Sequence, residues 1–86
     1  MVEIVESFQD FAEVAEHYRL GAYQIRDLGE GVEIRIRAGR FGYIGIYDPE
    51  DPEFERIKRF CSEKGFIKIR GTVPDDQFFT ATVIED

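Results

Sequence analysis

Asparagine is absent, cysteine and histidine occur once each, and no apolar run approaches the ~20 residues needed to cross a bilayer. Each shortage excludes something. A single cysteine cannot staple the fold through an internal disulfide. Cations are scarce as well: 11 Lys+Arg face 18 Asp+Glu, and the resulting net charge of -7 gives no general attraction to phosphate. The start of the chain, from Met1 to Phe11, carries Glu3, Glu6 and Asp10 where a secretory signal needs a basic start and an apolar stretch. The expectation is a cytoplasmic protein.

What is present argues for a folded chain. Eight Phe and four Tyr within a 43% hydrophobic composition supply the apolar surface that disordered segments lack. At 86 residues the expectation is one domain, 1–86, because each half alone would bury too little. The missing asparagine, only three glutamines and 34% charged residues lie in the direction in which thermophilic proteins drift.

Periodicity divides the chain. Ser7 with Asp10 reads as a capping pair, and Phe8, Phe11, Val14, Ala15 and Tyr18 follow at helical spacing until Gly21, which predicts a helix over 8–19. Ahead of it, Val2, Ile4 and Val5 suit a very short strand. From 22 to 48 the period changes to two, broken at Gly29-Glu30-Gly31 and Ala38-Gly39-Arg40, which predicts a three-stranded meander. Val32, Ile34, Ile36 and Ala38 share one face of its middle strand, and Glu33, Arg35 and Arg37 share the other, which is expected to be wet. Asp51 as N-cap and Pro52 at the first position open a second helix over 52–64 that Gly65 ends, with Phe54, Ile57, Phe60 and Cys61 as its stripe. Two further strands, 66–73 and 78–85, flank a turn at Pro74-Asp75-Asp76-Gln77. The expected fold class is α+β in the order α-β-β-β-α-β-β, a two-layer sheet packed by two helices. If residues 2–5 form a strand, the order becomes βαβββαββ, and an open sheet with both helices on one face is the natural arrangement.

The last hairpin, Ile67-Lys68-Ile69-Arg70-Gly71-Thr72-Val73 and Phe79-Thr80-Ala81-Thr82-Val83-Ile84-Glu85, resembles the closing strands of OB-fold nucleic-acid-binding domains. Five strands with a helix between the third and fourth is also the OB order. That resemblance implies an OB-like five-stranded barrel and single-stranded nucleic-acid binding as the alternative reading. It covers about a quarter of the chain. The early turns are tighter than the long loops usual in that family, and the first strand is shorter.

Two candidate surfaces follow. Arg35, Arg37, Lys68 and Arg70 would track phosphates and Tyr43 and Tyr47 would stack RNA bases, provided that the row Phe41, Tyr43, Tyr47 faces the same way as the cations. Otherwise that row is the buried side of its strand, with Ile44 and Ile46 opposite. Both parities of the strand are apolar, so it needs cover on both faces or leaves a patch for a protein partner or a second copy. Ile44, Ile46 and Phe78 are the candidate interface residues. The acidic turn from Asp48 to Glu53 lacks the spacing of a calcium loop, and its carboxylates suit a helix start. Gly29-Glu30-Gly31 and Gly39-Arg40-Phe41-Gly42 fit no phosphate-binding pattern. Cys61 continues an apolar stripe and His17 suits a helix end, so no catalytic pair, metal or cofactor is expected. The leading expectation is a non-catalytic binding module or subunit acting by protein–protein association.

Overall fold

Ser7 begins the first helix by accepting the Asp10 main-chain N–H at 3.1 Å, and Asp51 begins the second by accepting that of Glu53 at 2.8 Å. The computed structural model of the chain, which describes residues 2–80, sets these helices within the order β1 (Glu3–Ile4), α1 (Phe8–Ala15), β2 (Gly21–Asp27), β3 (Val32–Ala38), β4 (Phe41–Tyr47), α2 (Pro52–Lys64), β5 (Ile67–Lys68) and α3 (Asp75–Thr80). The class is α+β. One mixed five-stranded sheet runs β1-β4-β3-β2-β5. β2, β3 and β4 form the antiparallel meander, while β1 adds parallel to β4 and β5 parallel to β2.

Ladder register assigns the faces. Ile34 lies opposite Ile25 and Gly45, Ile36 opposite Tyr23 and Tyr43, and Ala38 opposite Gly21 and Phe41, so these residues share one side of the sheet. Both long helices join that side. Phe11 and Ala15 of α1 and Phe54, Ile57 and Cys61 of α2 form one buried cluster with Ile34, Ile36, Ala38, Tyr43 and Phe66. The helices meet through rings, with Phe60 edge-on to Phe8 at 5.3 Å and to Phe11 at 6.4 Å. This is the helix face. The row Phe41, Tyr43, Tyr47 belongs to it.

Several expectations are corrected here. α1 stops at Ala15, because Tyr18 leaves the helical path to lay its ring over Gly39 and beside Phe41, and Gly21 starts a strand instead of ending a helix. The strand expected over 66–73 shrinks to Ile67–Lys68. Pro74-Asp75-Asp76-Gln77 is not a hairpin turn: Pro74 C=O accepts the Phe78 N–H at 2.9 Å, and the chain winds into α3. Proline followed by acidic residues suits a helix start as well as it suits a turn. The sheet is open, so no barrel forms among the described residues. Residues 81–85 of the expected last strand lie outside the described residues.

Candidate interaction surface

The opposite side of the sheet, here the outer face, carries Glu33, Arg35 and Arg37 from β3, Ala22, Gln24 and Arg26 from β2, and Gly42, Ile44 and Ile46 from β4. The expected wet row is dry. Arg35 is 0% exposed and Arg37 5%, which corrects the reading of that side of β3 as wet. Their cover comes from far along the chain. Residues 71–80, here the strap, cross the outer face and end in α3.

Side chains of the sheet hold this strap by its main chain. Gln24 Nε2 donates to Gly71 O at 2.6 Å, Arg35 Nη2 to Val73 O at 2.5 Å, and Arg37 Nη1 to Phe78 O at 3.5 Å. Arg35 also donates to Gln24 Oε1, which aligns the two donors. The Phe78 ring lies over the Arg35 guanidinium, 4.7 Å from centroid to Cζ, and packs edge-on against Phe79. At Gly42 the sheet surface lacks a Cβ, and one placed there would fall 2.8 Å from the Phe79 ring and 2.9 Å from Val2. That glycine lets the strap lie close to β4.

Electrostatically the face is a cationic spot in an acidic protein. Glu33 pairs with Arg26 at 2.6 Å and approaches Arg35 Nε at 4.0 Å, so one carboxylate serves two guanidiniums. Arg37 Nε is buried with no hydrogen-bond partner among the described residues. A buried guanidinium gives up its hydration and recovers part of that energy from carbonyl acceptors, so covering this floor contributes less than covering an apolar one. The strap is therefore held by specific contacts on a weakly adhesive floor.

Compared with known proteins, the chain matches no family model, no curated protein and no solved structure.

The candidate nucleic-acid residues do not assemble. Tyr43 and Tyr47 stand on the helix face, Arg35 and Arg37 on the outer face beneath the strap, and by register Lys68 shares the side of Tyr23. Lys68 and Arg70 are exposed. Of the candidate interface residues, Ile44 and Ile46 share the outer face, with Ile46 66% exposed, whereas Phe78 is buried against Arg35 and is corrected from a free surface residue to a strap anchor.

The carboxylates Asp48 and Asp51 are engaged by nearby backbone amides. In the acidic turn, Asp48 accepts the Glu50 N–H at 3.0 Å and Asp51 caps α2. Among the described residues, no three His, Cys, Asp or Glu are grouped to hold a metal ion, and no helix is long and apolar enough to cross a membrane. Cys61 is fully buried and burial pushes its thiol up to about 12, while His17 is exposed beyond the end of α1. A shallow groove of about 330 Å³ between α1 and α2 is lined by Phe8, Glu13, Glu16, Glu53 and Arg56.

Beside that groove lies a feature that sequence reading missed. Tyr47 donates to Glu53 Oε2 at 2.6 Å, and the Tyr43 hydroxyl sits 2.5 Å from that of Tyr47, across the space left by Gly45. The four-residue spacing on one strand parity was the available signal. Burial, then the bond to Glu53, then the bond to Tyr43, raise the Tyr47 phenol well above its ordinary value near 10. A phenol with a raised folded-state pKa stabilises the fold fully below its unfolded value and loses that contribution as pH rises beyond it. The buried Cys61 thiol acts in the same direction from about pH 9. Urea stability should therefore fall as pH climbs from about 9 to 11, with each group adding a slope of up to ~1.4 kcal/mol per pH unit. Tyr47→Phe should flatten that decline above about pH 10. Wild type and variant declining in parallel would show that Tyr47 ionises as freely folded as unfolded.

Proposed function

We propose that this protein is a non-catalytic protein-association module whose docking surface is the outer face around Gln24, Arg35 and Arg37. One observation carries the reading: three side chains of the sheet hold three main-chain carbonyls of a peptide segment, with a phenylalanine ring laid on a guanidinium. Donors aimed at carbonyls grip a peptide by its backbone, and the ring and Gly42 give the grip its side-chain preference. Nothing in this constellation is a nucleophile or a general base. The exposed Ile46 beside it provides apolar surface of the kind that protein contacts use.

The test is peptide binding in trans. A tethered strap competes at an effective concentration of order millimolar, which a free peptide must overcome. Removing the rings of the strap, Phe78→Ala with Phe79→Ala in the full chain, weakens that competitor. A fluorescent peptide of residues 71–86 should then bind the double variant at least roughly tenfold tighter than it binds wild type, by anisotropy. Adding Arg35→Met should abolish the gain. Equal, negligible binding to all three proteins would remove the basis for a docking surface here.

A further inference from the structure

We infer that the outer face reads a chain end: its ligand is the C-terminal segment of a partner protein that finishes in phenylalanine, with the terminal carboxylate held by Arg37. This rests on the outer face being a docking surface and names the chemistry of what docks there.

Arg37 is the group that the closed chain leaves unmatched. Only 5% of it is exposed, yet among the described residues its Nε has no hydrogen-bond partner and no carboxylate stands within ion-pair distance of the guanidinium. Its neighbours are better served. Glu33 pairs with Arg26 at 2.6 Å and lies 4.0 Å from Arg35, which also donates to Gln24 Oε1 and to Val73 O. The strap offers Arg37 one acceptor, Phe78 O at 3.5 Å, the outer limit of a hydrogen bond. A buried guanidinium without a counter-charge is strongly unfavourable, and a carboxylate that meets its planar fork through two oxygens is the partner that relieves it most. The sheet cannot supply that carboxylate. Ladder register puts Ala22 and Gly42 on either side of Arg37, a methyl group and a bare backbone, so the anion has to come from the segment laid over the face.

The strap marks the place. Phe78 supplies both the ring on the Arg35 guanidinium, 4.7 Å from centroid to Cζ, and the carbonyl aimed at Arg37. Ending a chain at such a residue keeps the ring and turns its single carbonyl oxygen into a carboxylate with two. It also removes the next residue, here Phe79, whose ring fills the room over Gly42 to within 2.8 Å of where a Cβ would stand. That room adjoins Arg37 and passes to the second oxygen. Charge narrows the choice in the same direction. A chain of net charge -7 repels a run of acidic residues, whereas a terminus brings one charge to one guanidinium.

Two synthetic peptides of residues 71–78, labelled at the N-terminus, test this: one ends in a free carboxylate and the other in an amide. Both keep the carbonyls for Gln24 and Arg35 and the ring for Arg35, and they differ only at the group that faces Arg37. On the full chain carrying Phe78→Ala and Phe79→Ala, whose own strap is weakened, the acid should bind at least roughly tenfold tighter than the amide by anisotropy. Adding Arg37→Met should erase that difference by weakening the acid alone, and unchanged binding of the amide would show that the face is intact. Equal binding of acid and amide would overturn the chain-end reading and leave the docking surface standing. A preference for the acid that survives Arg37→Met would overturn it too, because another group would then hold the carboxylate. Loss of both peptides together on Arg37→Met would make Arg37 a support of the face instead of a reader of the terminus, with the same consequence. Failure of both peptides to bind the protein with Arg37 in place would overturn the docking surface itself.

Discussion

Replacing Arg35 with alanine should release the strap and destabilise the protein by about 2–4 kcal/mol. Arg35 is the largest fully buried side chain, and truncation leaves Gln24 Oε1 and Val73 O without this donor, Phe78 without its cationic partner, and a hole beneath both. Each stranded buried acceptor costs about 1–3 kcal/mol, partly relieved as the freed strap admits water. Glu33 is spared the worst of the loss, because Arg26 remains 2.6 Å away. Arg35→Met separates charge from volume. Its thioether keeps the reach and packs on the Phe78 ring, and the guanidinium's desolvation penalty disappears, so a loss below about 1.5 kcal/mol is expected. Urea denaturation measures the global effect, and hydrogen exchange of the Phe78 amide, bonded to Pro74 O, measures release of the strap. Alanine and methionine variants as stable and as protected as wild type would mean that the guanidinium holds nothing.

Phe11→Ala should act on the other side of the sheet and cost more, about 3–5 kcal/mol. The ring is 0% exposed, lies 6.5 Å from that of Phe8 and 6.4 Å from that of Phe60, and joins α1 to α2 above Ile34 and Ile36. Against a total stability of roughly 4–13 kcal/mol for a chain of this length, such a loss leaves little. In a thermal melt the midpoint should drop by at least ~12 °C. Strap protection should fall only in step with global stability, in contrast to Arg35→Ala, which loosens the strap first. A drop of a few degrees would show that the aromatic cluster repacks around the vacancy.

Local signals in the sequence described much of this molecule. The caps Ser7 and Asp51, Pro52 at the start of α2 and Gly65 at its end, and the period-two meander all depend on neighbours within a few residues, and they stand where those neighbours place them. The short first strand and the open sheet with both helices on one face, weighed as an alternative, match β1 and the shared core of α1 and α2. The outer face was not legible. Alternation shows that Arg35 and Arg37 oppose Ile34 and Ile36, but their burial depends on carbonyls 38 and 41 residues away, and no local pattern encodes such a contact. Strand parity likewise left open which way Tyr43 points, until pairing with Ile36 put it among the core residues. Phe78 was misread because the Pro-Asp-Asp that precedes it opens a helical turn as readily as a hairpin.

The sheet ends in a way that restricts how copies of this protein can meet. β1 and β5, its two borders, pair over only two residues each, and each includes a charged side chain, Glu3 or Lys68. So brief a row of open amides and carbonyls is a poor template for another chain to zip onto, and runaway stacking of sheets into fibrils starts from such templates. Crowded solutions should consequently stay free of such fibrils.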